Sequence, residues 1–168
     1  LFPAYFPAHL NRVIVLSKLG RHADAIASYD AVLAIKSADP DAWYNRGIAL
    51  FNLERYEEAI ANYNKALALT PGFYEAWYNH ATTLLKLDRN EEAIASYDKV
   101  LEINPTFYEA WYGRGFALLN LGRYSDMMAS YDKALDLNPS FYEAWYGRGF
   151  ALYNLGYPVE AIKKKKKA

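Results

Sequence analysis

The twelve residues FYEAWYGRGFAL stand at 107–118 and again, unchanged, at 141–152. A phrase written twice at a fixed spacing constrains the fold strongly, because each copy takes up the same local structure and packs on the next. The 34-residue period reaches far beyond the phrase. Shifted by one period, the chain puts Trp43, Trp77, Trp111 and Trp145 in one column and Tyr44, Tyr78, Tyr112 and Tyr146 in the next. Gly47, Ala81, Gly115 and Gly149 share a column, as do Leu53, Leu87, Leu121 and Leu155. So do Ala25, Ala59, Ala93 and Ala161, and Tyr29, Tyr63, Tyr97 and Tyr131, while Pro71, Pro105 and Pro139 close their units. LFPAYFPAHL at the start aligns with LNPSFYEAWY at 137–146, which puts Pro3 in the column of Pro139. The chain is therefore expected to open in the last turn of a preceding unit (1–5) and to be an excerpt of a longer array. The expected repeats are a degenerate first at 6–39, then 40–73, 74–107 and 108–141, and a partial fifth at 142–168 with a Lys-rich end.

Each repeat reads as two amphipathic helices. Over 91–103, Ala93, Ile94, Tyr97, Val100 and Leu101 follow the spacing of a single helical stripe. A helix over 109–121 places Trp111, Gly115 and Leu118 on one face. Thr106-x-x-Glu109 and Ser140-x-x-Glu143 predict capping boxes, in which hydroxyl and carboxylate satisfy orphan backbone donors. Asn104-Pro105 and Asn138-Pro139 predict helix ends, because a residue before proline disfavours helical geometry. The small Gly and Ala columns let helices approach, and Trp and Tyr fill the spaces between units. The fold class is all-α.

Tyrosine, with 16 copies, is the compositional outlier, beside four Trp and eight Phe. There is no cysteine, which excludes disulfides and thiolate chemistry and fits a reducing compartment. No apolar run approaches the ~20 residues of a membrane helix, and Pro3 and Pro7 break up a start that lacks the basic region of a signal peptide. A cytoplasmic location without membrane insertion is the expectation. The net charge of zero hides an asymmetry: Lys163 to Lys167 hold five of the 19 basic residues, and the rest of the chain carries 14 against 19 acidic, a net of −5. That argues against nucleic acid as a partner, which calls for Lys and Arg spread over one face.

The stretch AWYNRGIALFNLERYEEAIANYNKALALTP at 42–71, with its Trp, Leu, Gly, Tyr, Ala, aromatic, Ala and Pro in one period, resembles the tetratricopeptide repeat. Its wording is similar to bacterial, particularly cyanobacterial, arrays. The resemblance covers essentially the whole chain and implies a right-handed α-solenoid of stacked antiparallel helix pairs. There are departures. His9 and Val13 replace Trp and Gly in the first unit, and Met127 replaces an Ala at a tight crossing, where it is expected to push the helices apart. Arg46, His80, Arg114 and Arg148 occupy a column where the family usually has Leu.

Neither catalysis nor a cofactor is expected. GRG at 113–115 and 147–149 lacks the third glycine and the preceding strand of a phosphate loop. His9, His22 and His80 share no ligand spacing, so no metal site is expected. Glu57-Glu58 and Glu91-Glu92 open second helices, where carboxylates favour the helix dipole.

What the resemblance does imply is a binding surface. In the family the first helix of each unit lines a concave face in which peptides lie. By column this selects Tyr44, Tyr78, Tyr112 and Tyr146, then Ile48, Thr82, Phe116 and Phe150, then Asn52, Lys86, Asn120 and Asn154. Asn45 and Asn79 join them, and their replacement by Gly113 and Gly147 is expected to widen the groove. Packing of the Tyr column between helices is the competing reading. Asp41, Glu75, Glu109 and Glu143 border the same face. Some members hold chaperone C-termini in a clamp of Lys, Asn and Arg. Here only Asn45 and Asn79 match, and Leu10, Tyr44 or acidic residues stand at the lysine positions. The groove is expected to favour apolar or aromatic peptides, with a basic residue meeting the acidic border.

The expected function is a protein-interaction scaffold that binds a peptide or partner surface. Two alternatives stay open: the substrate-recruiting arm of a larger enzyme, and a structural array that stacks end to end. The run Lys163–Lys167 replaces the Tyr and apolar positions that the column requires. With no polar capping helix after Pro158, the C-terminal end is expected either to self-associate or to rely on residues or a partner that normally follow it.

Overall fold

The computed structural model describes Leu16 and residues 19–157. Eight helices run through these residues: α1 (His22–Ile35), α2 (Pro40–Asn52), α3 (Tyr56–Leu69), α4 (Tyr74–Lys86), α5 (Asn90–Ile103), α6 (Tyr108–Asn120), α7 (Tyr124–Leu137) and α8 (Tyr142–Asn154). They divide into two compact units between Leu87 and Asp88. In the first unit α1 to α4 pack each on the next, and α2 also touches α4; in the second, α5 to α8 do the same, and α6 touches α8. Neighbours joined by such short turns run antiparallel, so each unit is a stack of helix pairs, the arrangement of an α-solenoid. The unit boundaries expected for the first and last repeats, the leading LFPAYFPAHL and the Lys163–Lys167 run fall outside the described residues.

Local chemistry explains where the helices start and stop. The second helix of each pair follows an arginine, Arg21, Arg55, Arg89 or Arg123, whose guanidinium pairs with the carboxylate three residues on, Asp24, Glu58, Glu92 or Asp126. The acid thereby stands in the first turn, where the helix dipole favours it. The turn before it takes positive φ at Gly20, Glu54, Asp88, Gly122 and Gly156, the same place in each repeat. Helix α2 is capped by Asp39, whose Oδ1 accepts from the Ala42 N–H at 3.0 Å, with Pro40 in the first helical position.

The capping boxes expected at Thr106 and Ser140 do not form. Phe107 and Phe141 are the N-cap residues and neither makes a side-chain cap. The hydroxyls of Thr106 and Ser140 donate instead to Asn104 Oδ1 and Asn138 Oδ1, at 2.9 and 2.7 Å. Those same oxygens accept the backbone N–H groups of Thr106 and Ser140. The Asn side chain thus closes the loop as an Asx turn and uses up the hydroxyl that a capping box would need. Asn104 and Asn138 do end α5 and α7.

The core is built from the repeated columns. Ala25, Ala59, Ala93 and Met127 are fully buried where helices cross, and Tyr63, Tyr97 and Tyr131 are the largest fully buried side chains. Each such ring removes on the order of 200 Å² from water, which makes this column the main apolar contribution of its repeat. Among the described residues every buried side-chain polar atom has a hydrogen-bond partner.

Candidate partner-binding face

The column of glycines at the helix crossings sets how closely the first helices approach these rings. A Cβ on Gly47 would lie 2.5 Å from Tyr63 Cε1, and one on Gly115 2.6 Å from Tyr131 Cε1. Gly113 and Gly147 do not widen a groove. Both are buried, and a Cβ there would lie 2.4 Å from Tyr97 Cζ and from Tyr131 Cε2. Tyr131 is therefore clasped from both sides, by Gly115 of α6 and Gly147 of α8.

The tryptophans serve the loops. The indole N–H of Trp43 donates to the Ser37 carbonyl, and those of Trp77, Trp111 and Trp145 to Pro71, Pro105 and Pro139, all at 2.8–3.0 Å. The arginine column bridges second helices. Arg46 Nε donates to Asp30 at 2.9 Å and its Nη1 to Asn62 at 3.1 Å; Arg114 reaches Asp98 at 2.7 Å and Ser130 at 2.8 Å; Arg148 pairs with Asp132. Each acid stands 16 positions before its arginine. In the remaining repeat both members change together, to Asn64 and His80, so the pairing is written in the chain as a coupled exception. It is hidden when the columns are taken one at a time.

On this frame the candidate residues separate into packed and open ones. Tyr44 is partly buried, 4.7 Å from Phe73 and 6.1 Å from Tyr63 between ring centroids, and its hydroxyl accepts from Asn79 Nδ2 at 2.9 Å. Burial, reinforced by the charge of Glu75, pushes its phenol pKa up. Tyr112 is its counterpart in the second unit, 5.0 Å from Phe141 and 5.5 Å from Tyr131, with its phenol pushed up by burial and then by Glu143. Tyr78 is partly buried, and Tyr146 is 72% exposed. In the next column Ile48 packs against the core of the first unit, and the Thr82 hydroxyl donates to the Tyr78 carbonyl at 2.9 Å. Phe116 and Phe150, by contrast, are 40% and 42% exposed.

The amides bind locally: Asn45 to the Asp41 carbonyl, Asn154 to the Phe150 carbonyl and Asn120 to Asn90 Oδ1, each at 2.8 Å. Asn52 and Lys86 are exposed, Lys86 being the one cation among the candidate residues. In the second unit, then, Phe116 and Asn120 stand on α6 and Phe150 and Asn154 on α8, with Glu109 and Glu143 in the first turns of those helices, and the Phe150 ring lies 6.4 Å from that of Tyr124; in the first, Asn52 stands on α2 and Thr82 and Lys86 on α4. No group of three or more potential metal ligands occurs among the described residues, and none of the described helices is long and apolar enough to cross a membrane.

Three family models match the chain: two described as tetratricopeptide repeat, at residues 10–72 and 50–98, and one described as TPR repeat, at 82–122 and 119–156. No curated protein matches it. Among solved structures, a MamA protein is 22% identical with a TM-score of 0.91, covering 96% of this chain and 88% of that one. MamA 41-end from Desulfovibrio magneticus RS-1 is 24% identical with a TM-score of 0.91, covering 96% and 92%. YrrB, described as a TPR protein with an unusual peptide-binding site, is 25% identical with a TM-score of 0.81, covering 93% and 82%. These likenesses agree with the periodic columns and the stacked helix pairs, and the matched models together run from residue 10 to residue 156: the chain belongs to the tetratricopeptide repeat family.

Proposed function

We propose that this chain is a protein-interaction scaffold without catalytic chemistry of its own, and that it binds an extended peptide or partner surface along the first helices of its repeats. One observation carries the reading. Phe116 remains 40% exposed although Tyr112, one turn before it, packs on Tyr131 and Phe141, and Phe150 takes the equivalent place in the next first helix at 42%. An apolar side chain that stays in solvent beside a packed aromatic ring, as Phe116 does, suits recognition rather than the core. Glu109 and Glu143 beside it favour a ligand that combines an apolar or aromatic side chain with a basic one. The similar fold of YrrB, a TPR protein described by its peptide-binding site, supports the general mode. Tyr44 and Tyr112 support the face from behind, and Asn120, Asn154, Asn52 and Lys86 offer polar contacts at its rim.

The test is selection from a random peptide library on the intact chain, followed by titration of the selected peptides. Peptides of aromatic and basic character are expected. A variant with Phe116→Ser and Phe150→Ser is expected to bind them at least about tenfold more weakly, as loss of central anchors costs roughly 1–3 kcal/mol. Unchanged binding by that variant, with its helical circular dichroism intact, overturns the reading.

A further inference from the structure

Equivalent tyrosines in the two units differ in what their hydroxyls meet. In the first unit the Tyr44 hydroxyl accepts from Asn79 Nδ2 at 2.9 Å. The Tyr63 hydroxyl is hydrogen-bonded to Thr83. Thr83 already donates its own hydrogen to the Asn79 carbonyl, at 2.6 Å, so toward Tyr63 it acts as the acceptor. Two periods on, Tyr112 and Tyr131 repeat the ring pair at 5.5 Å, but Gly147 and Ala151 stand in the columns of Asn79 and Thr83. Neither replacement has a side chain that can hydrogen-bond. Among the described residues no group hydrogen-bonds to the Tyr112 or the Tyr131 hydroxyl. Every fully buried side-chain polar atom described does have a partner, so both hydroxyls touch solvent, although Tyr131 as a whole is only 1% exposed. Both walls of this place, α6 and α8, lie within the described residues. The clasp of Gly115 and Gly147 holds the Tyr131 ring, so its hydroxyl keeps this position.

We propose that the Tyr112 and Tyr131 hydroxyls together take one carboxamide of the bound peptide, its N–H donating to Tyr112 and its carbonyl accepting from Tyr131. That is the chemistry the first unit provides for itself, with an amide N–H from Asn79 and an acceptor oxygen from Thr83. The carboxamide is an Asn or Gln side chain or a main-chain peptide group. Tyr112 stands one turn before Phe116 on α6, so their side chains are neighbours. A peptide laid on Phe116 therefore comes beside these hydroxyls, and excluding water from them costs affinity unless the peptide supplies partners. The inference rests on the peptide-binding reading above and adds a polar position to its aromatic one. The two rings belong to the packing and their hydroxyls to recognition.

The probes are the peptides selected from the random library on the intact chain, titrated against variants that lose a hydroxyl and keep the ring. Tyr112→Phe combined with Tyr131→Phe is expected to weaken their binding by roughly fivefold or more, and Tyr63→Phe to leave it unchanged. Each peptide is then remade twice, once with its Asn or Gln replaced by Met and once with a main-chain amide replaced by an ester. The penalty of the double variant is expected to vanish against one of the two, and which one identifies the source of the carboxamide. Chemical denaturation without any peptide checks the free hydroxyl separately: Tyr63→Phe is expected to lower the midpoint and Tyr131→Phe to leave it in place. Unchanged binding by the double variant, a penalty that survives both remade peptides, or a Tyr131→Phe that unfolds as early as Tyr63→Phe each overturns the proposal. Peptides indifferent to Phe116→Ser with Phe150→Ser remove the underlying reading and this proposal with it. Peptides that need those phenylalanines but not the hydroxyls overturn this proposal alone.

Discussion

The ring of Tyr131 occupies the space that a Cβ on Gly147 would need: the two would lie 2.4 Å apart, well inside van der Waals contact. The ring cannot swing away, because Gly115 closes on its other side. Gly147→Ala is therefore expected to destabilise the second unit by roughly 1–3 kcal/mol through overpacking, despite the better helix propensity of alanine. Chemical denaturation followed by circular dichroism measures it, and a neutral or stabilising result contradicts the clasp.

Glu54 holds a φ of 59° in a turn where Gly20, Gly122 and Gly156 hold the equivalent place. A side chain with a Cβ is strained there, and glutamate lacks the short polar group that lets asparagine or aspartate adopt the left-handed region. Glu54→Gly is expected to stabilise by about 0.5–1 kcal/mol, since relief of strain outweighs the extra freedom gained by the unfolded chain. A rise in thermal midpoint is the readout.

Arg114 and Asp98 lie on different helices, 2.7 Å apart, with the arginine less exposed than the acid. A double-mutant cycle with Arg114→Met and Asp98→Asn is expected to give a coupling of about 0.5–1 kcal/mol that shrinks as salt is added. The same cycle across Asn64 and His80, where no such charged pair is written, is expected to show no comparable salt dependence.

Asp39 carries a pH dependence with a definite sign. Burial disfavours its charge, but the hydrogen bond from Lys36 at 2.9 Å and that from the Ala42 N–H outweigh it, so the carboxyl titrates below its ordinary value. A folded pKa lower than the unfolded one, about 3.9, contributes stability that is present above about pH 4 and is lost as pH falls through the folded value. Asp39→Asn keeps an acceptor for the helix cap and removes the charge. It is expected to cost about 0.3–1 kcal/mol at neutral pH and to match the wild type once both are titrated in acid. A difference that persists in acid contradicts the assignment.

The architecture was legible in the chain because a strict period leaves little freedom: every helix, its partner and its stop recur, and only ends shifted, as when α6 began at Tyr108 rather than 109. The face was harder to read. Columns show which residues are equivalent without showing depth, and depth separates Tyr112, packed on Phe141, from Phe116, which is open. Glycine is ambiguous for the same reason. Gly113 and Gly147 look like missing side chains in a groove until the Tyr97 and Tyr131 rings are found occupying that space. At Thr106 two local motifs compete for one hydroxyl, and the nearer Asn104 acceptor wins.

Each indole-to-carbonyl bond of the tryptophan column spans only six positions and closes within a single loop and helix. A ring that small costs little chain entropy to form. The bend at Ser37, Pro71, Pro105 and Pro139 is consequently fixed by the helix that follows it before any neighbour arrives, so these elbows are set one at a time and in any order. Changes to the outward side chains leave those elbows untouched. The proposed recognition face is thereby free to vary from repeat to repeat while the angles between helices stay the same.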